Sequence, residues 1–110
     1  MSDLVTDTQA QAALNFLAET DELGAALSGQ VESLYYRIKA RKGIVKLESE
    51  HKTVALKEAA ADSDSKVLEM YEERVNAIVE HETIRAKRER AKYTLDMWRS
   101  VNANRRQGHA

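Results

Sequence analysis

The sequence predicts an all-α protein: a short N-terminal helix followed by a long antiparallel helical hairpin, coiled-coil-like and oligomeric. Three observations carry this reading. The 110 residues contain no proline and only four glycines, Gly24, Gly29, Gly43 and Gly108, so little in the chain breaks a helix. Long stretches consist of Ala, Leu, Glu, Lys, Arg and Gln, the residues that lose least freedom on becoming helical. Apolar residues recur at steps of three and four, not two, the spacing that places them on one helical face.

Thr6 followed by Gln9 has the form of a capping box, and Ala10, Ala13, Leu14, Leu17 and Ala18 recur behind it, so a first helix is expected over residues 8–19. Thr20, with Asp21 and Glu22 behind it, reads as a fresh N-cap with acidic residues facing the positive end of the helix dipole. A long helix over 20–61 follows, with an apolar stripe through Leu23, Leu27, Val31, Leu34, Ile38 and Val45. Gly24 and Gly29 mark close packing or a bend near its start. Asp62-Ser63-Asp64-Ser65 offers side chains that compete for backbone hydrogen bonds, and Ser63, Asp64 or Ser65 could cap a new helix. The chain reversal is placed there. The last helix, 65–102, aligns Leu68, Tyr71, Val75, Val79, Ala86, Tyr93, Met97 and Val101, and residues 103–110 form a flexible basic tail. One competing arrangement, a single helix from about residue 20 to 102, stays open because neither Gly nor Pro enforces the turn.

Reversal near Ser63 would set residue i opposite about 126 minus i, bringing Arg41 beside Arg85 and Lys39 beside Lys87. Two lone helices, each with one apolar stripe, bury little surface, so a homo-oligomer is expected. Cysteine is absent, which removes disulfides and thiolate metal sites and fits a reducing cytoplasm. No apolar run approaches the roughly 18 residues that cross a bilayer, and the N-terminus lacks a basic segment followed by an apolar one.

Catalysis is not expected. The chain has no Gly-rich phosphate loop, no Gly-x-Ser-x-Gly turn and no cysteine nucleophile, and no cofactor is called for. Glu48-x-x-His51 puts a carboxylate and an imidazole at the spacing used by di-iron bundles. Those sites use the motif twice, and Ile78 stands where His81 would need its glutamate, so no metal is expected.

The net charge of −1 conceals a polarised chain. Positions 1–32 carry acidic residues and no Lys or Arg, whereas two basic zones follow: Arg37, Lys39, Arg41, Lys42 and Lys46, then Arg85, Lys87, Arg88, Arg90, Lys92, Arg99, Arg105 and Arg106 against only Glu89 and Asp96. A solvated helix face is the plain alternative, since charged residues at four-residue spacing pair with each other. The run from Arg85 to Lys92 has only Glu89 within it, and unpaired like charges on one helix cost stability. Tyr35, Tyr36 and Trp98 lie within or beside these zones, and single strands are held by phosphate contacts together with bases stacked on aromatic rings. The candidate nucleic-acid-binding set is therefore Arg37, Lys39, Arg41, Lys42, Arg85, Lys87, Arg88, Arg90 and Lys92, with Tyr35, Tyr36 and Trp98 for stacking. Tyr93, on the apolar stripe, is read as a core or interface anchor. A membrane surface fits less well, because the run from Arg85 to Lys92 offers chiefly Ala86 and Ala91 as apolar groups.

The order of features resembles the phage recombination mediators of the UvsY type. Tyr35-Tyr36-Arg37-Ile38-Lys39-Ala40-Arg41-Lys42 runs into a helix containing Lys52-Thr53-Val54-Ala55-Leu56-Lys57, followed by an acidic, Ser-containing turn, Tyr71-Glu72 at a helix start and a late Trp98. The resemblance covers about residues 31–101. It implies a ring-like homo-oligomer that binds single-stranded DNA and helps load a recombinase onto strands covered by single-strand binding protein. The acidic first segment and Arg105-Arg106 depart from that layout. The alternative from another class is a structural coiled-coil adaptor, such as a phage assembly or scaffold component without nucleic-acid binding.

Overall fold

A computed structural model describes residues 5–108, with side chains over 5–106. Three helices occupy this span: α1 (Asp7–Glu48), α2 (Val54–Asp62) and α3 (Ser65–Gly108), and no strand occurs among the described residues. The chain divides into two compact units, residues 26–81 and residues 1–25 with 82–110. In each, a stretch of α1 packs against a stretch of α3, the helical pair that the apolar spacing anticipated.

The N-terminal capping box forms as read. Thr6 N–H donates to Gln9 Oε1 at 2.9 Å and Gln9 N–H donates to Thr6 Oγ1 at 3.1 Å, satisfying donors that the first turn leaves without helical partners. Thr20 does not start a helix. It is buried at 8% exposure, and its hydroxyl donates back to Phe16 O at 2.7 Å, a bond available only to a residue already inside a helix. The expected helices 8–19 and 20–61 are thus replaced by one α1 of 42 residues.

The real break falls at 49–53. Ser49 Oγ accepts from His51 N–H at 3.2 Å, and Thr53, extended at φ −98° and ψ 149°, caps α2 by accepting from Leu56 N–H. Glu48 ends α1 while His51 lies in the connection, so this pair does not share one helical turn. At the second break, the expected capping segment is correct and Asp64 is the residue that caps: its Oδ2 accepts from Val67 N–H at 3.1 Å. Ser63 closes α2, its hydroxyl donating to Ala59 O at 2.9 Å. At the far end, α3 runs through the expected flexible tail to Gly108 with Arg105 and Arg106 in its last turn; residues 109 and 110 lie outside the described span.

Moving the reversal moves the register. Arg74 Nε reaches Val31 O, Arg88 reaches Leu17 O, Trp98 reaches Asp7, and Arg41 reaches Asp64. In each pair the residue numbers add to 105, not 126, and half of that sum falls at 52–53, inside the connection. The single uninterrupted helix from 20 to 102 is excluded by the same pairs.

In α1 most of the expected stripe is buried: Leu27, Leu34 and Ile38 are 5% or less exposed and Val31 and Val45 half-buried, whereas Leu23 is 40% exposed. Burying such a side chain is worth about 1.5–3 kcal/mol. In α3 the buried seam is displaced from the expected stripe. Val67, Ala77 and Ala91 are buried, joined by half-buried Met70, Arg74, Ile84, Arg88, Leu95 and Trp98, whereas Leu68, Val75, Val79, Tyr93 and Met97 are all more than half exposed. Small side chains at 77 and 91 let backbones approach, and the two arginines satisfy carbonyls of α1. Polar residues at these positions disguise the seam from a hydropathy reading.

Candidate nucleic-acid interface

In the unit of residues 26–81, helical geometry puts Tyr35 and Tyr36 on adjacent outward positions of α1, 45% and 60% exposed. Their rings meet edge to face, centroids 5.4 Å apart at 81°, the arrangement their quadrupoles favour. Lys39 Nζ sits 5.4 Å from the Tyr35 centroid and the Arg74 guanidinium 5.6 Å from it, both within the range of cation–π attraction. Arg37 is exposed beside them, and among the described residues neither Arg37 nor Lys39 is ion-paired. This is an exposed aromatic pair ringed by cations.

Arg41 and Lys42, from the same zone, are spoken for. Arg41 holds Asp64 through two parallel bonds, Nε to Oδ2 and Nη2 to Oδ1, each 3.0 Å, the bidentate geometry that suits a guanidinium. That contact, helped by the Val67 and Lys66 backbone N–H groups, holds the Asp64 carboxyl below the usual range despite partial burial. Lys42 donates to the Tyr71 hydroxyl at 2.7 Å and pairs with Asp62 at 3.1 Å. These contacts raise its pKa, the Tyr71 bond contributing most. Both side chains fasten the reversal.

The second basic zone lies in the other unit, against the acidic start of α1. Arg88 Nη1 donates to Leu17 O and to Thr20 Oγ1, both at 2.7 Å, while Nη2 reaches Asp21 at 3.4 Å. Trp98 is half-buried and its Nε1 donates to Asp7 Oδ1 at 2.8 Å. Neither is presented as an open contact. Arg85 pairs with Glu82 and Lys92 with Glu89, both exposed. Lys87 and Arg90 carry no ion pair among the described residues and flank an open groove of about 500 Å³ whose other wall includes Val5, Ala12 and Phe16.

The expected neighbours Arg41 and Arg85 are therefore not each other's partners: Arg41 faces Asp64, and the 85–92 zone faces the acidic stretch of α1. Sequence reasoning missed Arg74, whose place beside Tyr35 depends on the register. Tyr93, read as an anchor, is 69% exposed. Among the described residues no group of three His, Asp or Glu side chains is placed to hold a metal ion, and no helix is long and apolar enough to cross a membrane. No protein-family model, no curated protein and no solved structure matches this chain.

Proposed function

We propose that the chain is a non-catalytic, homo-oligomeric protein that binds single-stranded DNA, in a recombination or replication mediator role of the UvsY kind, helping to load a recombinase. One observation carries the nucleic-acid part: the exposed Tyr35–Tyr36 edge pair with Lys39 and Arg74 around it and Arg37 alongside. Bases of a flexible strand stack on such rings whatever their identity, and neighbouring cations take the phosphates. Arg41, Lys42, Arg88 and Trp98 leave the proposed contact set, since each has an intrachain partner. Arg37, Lys39, Tyr35 and Tyr36 are its centre. The mediator role rests on the resemblance in layout.

Titration of a labelled single-stranded oligonucleotide at two salt concentrations tests the reading. Binding weakens with salt, with a logarithmic slope near −0.7 for each phosphate contact, because each contact releases a condensed counterion. Replacing Tyr35 and Tyr36 together by alanine weakens it by at least about tenfold, given roughly 1–3 kcal/mol per stacked base. The adaptor reading draws on a different observation: much of the basic charge is already committed to carboxylates and carbonyls within the chain. No measurable affinity at low salt decides for the adaptor.

A further inference from the structure

The aromatic and cationic side chains of the unit of residues 26–81 extend beyond the Tyr35–Tyr36 pair. Tyr71, on α3, is 39% exposed. Lys42 of α1 donates to its hydroxyl at 2.7 Å, with Nζ 5.0 Å from the ring centroid. At those two distances the ammonium stands off the hydroxyl end of the ring and not over its middle, so the exposed part of the ring stays open to a flat partner.

Two contacts between the helices put Tyr71 on the same side of this unit as Tyr35: the Arg74 guanidinium of α3 lies 5.6 Å from the Tyr35 centroid, and Lys42 of α1 meets Tyr71. Along α1, Tyr35, Lys39, Lys42 and Lys46 follow at steps of four, three and four, and along α3 Tyr71 and Arg74 stand three apart, so each set shares one face of its helix. Lys42 is held by Asp62 at 3.1 Å as well as by Tyr71 and serves to fix the ring. Lys39 and Lys46 carry no ion pair among the described residues. Tyr35 and Lys42 are seven residues apart, about 10.5 Å along α1, and Tyr71 lies at the Lys42 end. Nucleotides of a stacked strand rise about 3.4 Å each, so the two rings stand roughly three base rises apart.

We infer that Tyr71 is a second base-stacking station of the single-strand site, and that one chain takes a strand of at least about four nucleotides, one base on Tyr35 and another on Tyr71. The strand runs along α1, with Lys39 beside its phosphates between the two rings and Lys46 beyond the Tyr71 end. Such a site tolerates any sequence, because every base offers a face to a ring. A duplex fits poorly, since its bases are held inside the stack and must be extruded to be reached. The second station rests on the single-strand reading above and adds to it the length of strand bound and the residue that receives its far end.

The test is fluorescence anisotropy of labelled oligothymidylates of about three and about six nucleotides with the full chain at low salt. Only the longer strand spans both rings, so wild type binds it at least about fivefold more tightly than the shorter one. Tyr71→Leu and Tyr71→Phe both lose the hydroxyl bond to Lys42, and only the phenylalanine keeps a ring. Tyr71→Leu therefore weakens binding of the longer strand by at least about fivefold and removes most of its advantage over the shorter one, whereas Tyr71→Phe binds both as wild type does. Circular dichroism melts of the two variants verify that their helices are equally intact. A phenylalanine variant as weak as the leucine one, or a leucine variant as tight as wild type, overturns the second station and leaves Tyr35 and Tyr36 as the site. A wild type without affinity for either strand overturns the single-strand reading itself, and the second station falls with it.

Discussion

Arg88 shows how a residue with the right charge for one purpose is taken by another. Its guanidinium closes the hydrogen-bonding needs of Leu17 O and Thr20 Oγ1, two groups on the packed side of α1. Bonds to a charged donor are worth about 1.5–3 kcal/mol each time they replace solvent. Arg88→Ala should therefore lower stability in urea by about 2 kcal/mol with no nucleic acid present, whereas Arg85→Ala, more than half exposed like its partner Glu82, should change it by less than about 1 kcal/mol. Equal losses would mean that Arg88 is not a structural anchor. Asp64 makes a pH-dependent prediction. Its carboxyl is held below its ordinary value by Arg41 and by backbone N–H groups at the start of α3. A depressed carboxylate contributes stability above its unfolded pKa, and that contribution fades as pH falls through the folded one. Asp64→Asn keeps the capping oxygen but loses the charge, so its melting temperature should fall below wild type at pH 7. The gap should narrow below about pH 4, where the unfolded carboxyl takes up its proton. A gap constant from pH 7 down to pH 2 would remove the ion pair as its cause.

At the scale of the helix, the glycines supply a prediction. A Cβ built on Gly24, Gly29 or Gly43 meets nothing within 4 Å, and none has a positive φ. Neither close packing, one of the two expectations from sequence, nor a special backbone conformation accounts for Gly24 and Gly29. Gly29→Ala should raise stability by about 0.5–1 kcal/mol through lower chain entropy in the unfolded state. A loss of stability in urea melts would reveal a contact to that position outside the chain. How far these elements could be read beforehand depended on whether a residue's partner was local. Thr6 and Gln9 lie one turn apart and were legible, as was the capping segment Ser63–Ser65, though not which of its three residues caps. Thr20 was misread because a threonine followed by acidic residues looks the same before a helix as inside one, and only Arg88, 68 positions away, distinguishes them. The break at Ser49–Thr53 contains neither Gly nor Pro, so composition gave no sign of it, and the register followed the misplaced turn. With the register went a third of the candidate site: Tyr35, Tyr36, Arg37 and Lys39 are outward because of where they stand on α1, while the duties of Arg41, Lys42, Arg88 and Trp98 come from the opposite helix.

For the whole molecule, the amount of apolar surface left outside sets the behaviour in solution. The α1 and α3 pairing buries Leu34 and Val67 completely and several alanines nearly so, yet alanines contribute little burial per residue, and Leu68, Val75, Val79, Tyr93 and Met97 stay more than half exposed. A chain of this size with a narrow seam is marginal alone, so a second copy covering that surface should contribute to its folding stability. Folding and association are then linked: a dimer formed only by folded chains gains stability as concentration rises, and the melting temperature follows. A tenfold increase in protein should raise the melting temperature by roughly 3 to 5 °C for a dimer of this size. Val75→Lys should abolish that dependence. Val75 is 56% exposed and lies off the buried seam, so the change leaves the intrachain packing alone, and it puts a charge on the exposed apolar face that a second copy would have to cover. Far-UV circular dichroism melts at three concentrations, for both proteins, make the comparison. A wild-type melting temperature that does not move with concentration would show that the hairpin is stable by itself and that its outer apolar face is solvated, leaving the seam between α1 and α3 as the sole source of its stability.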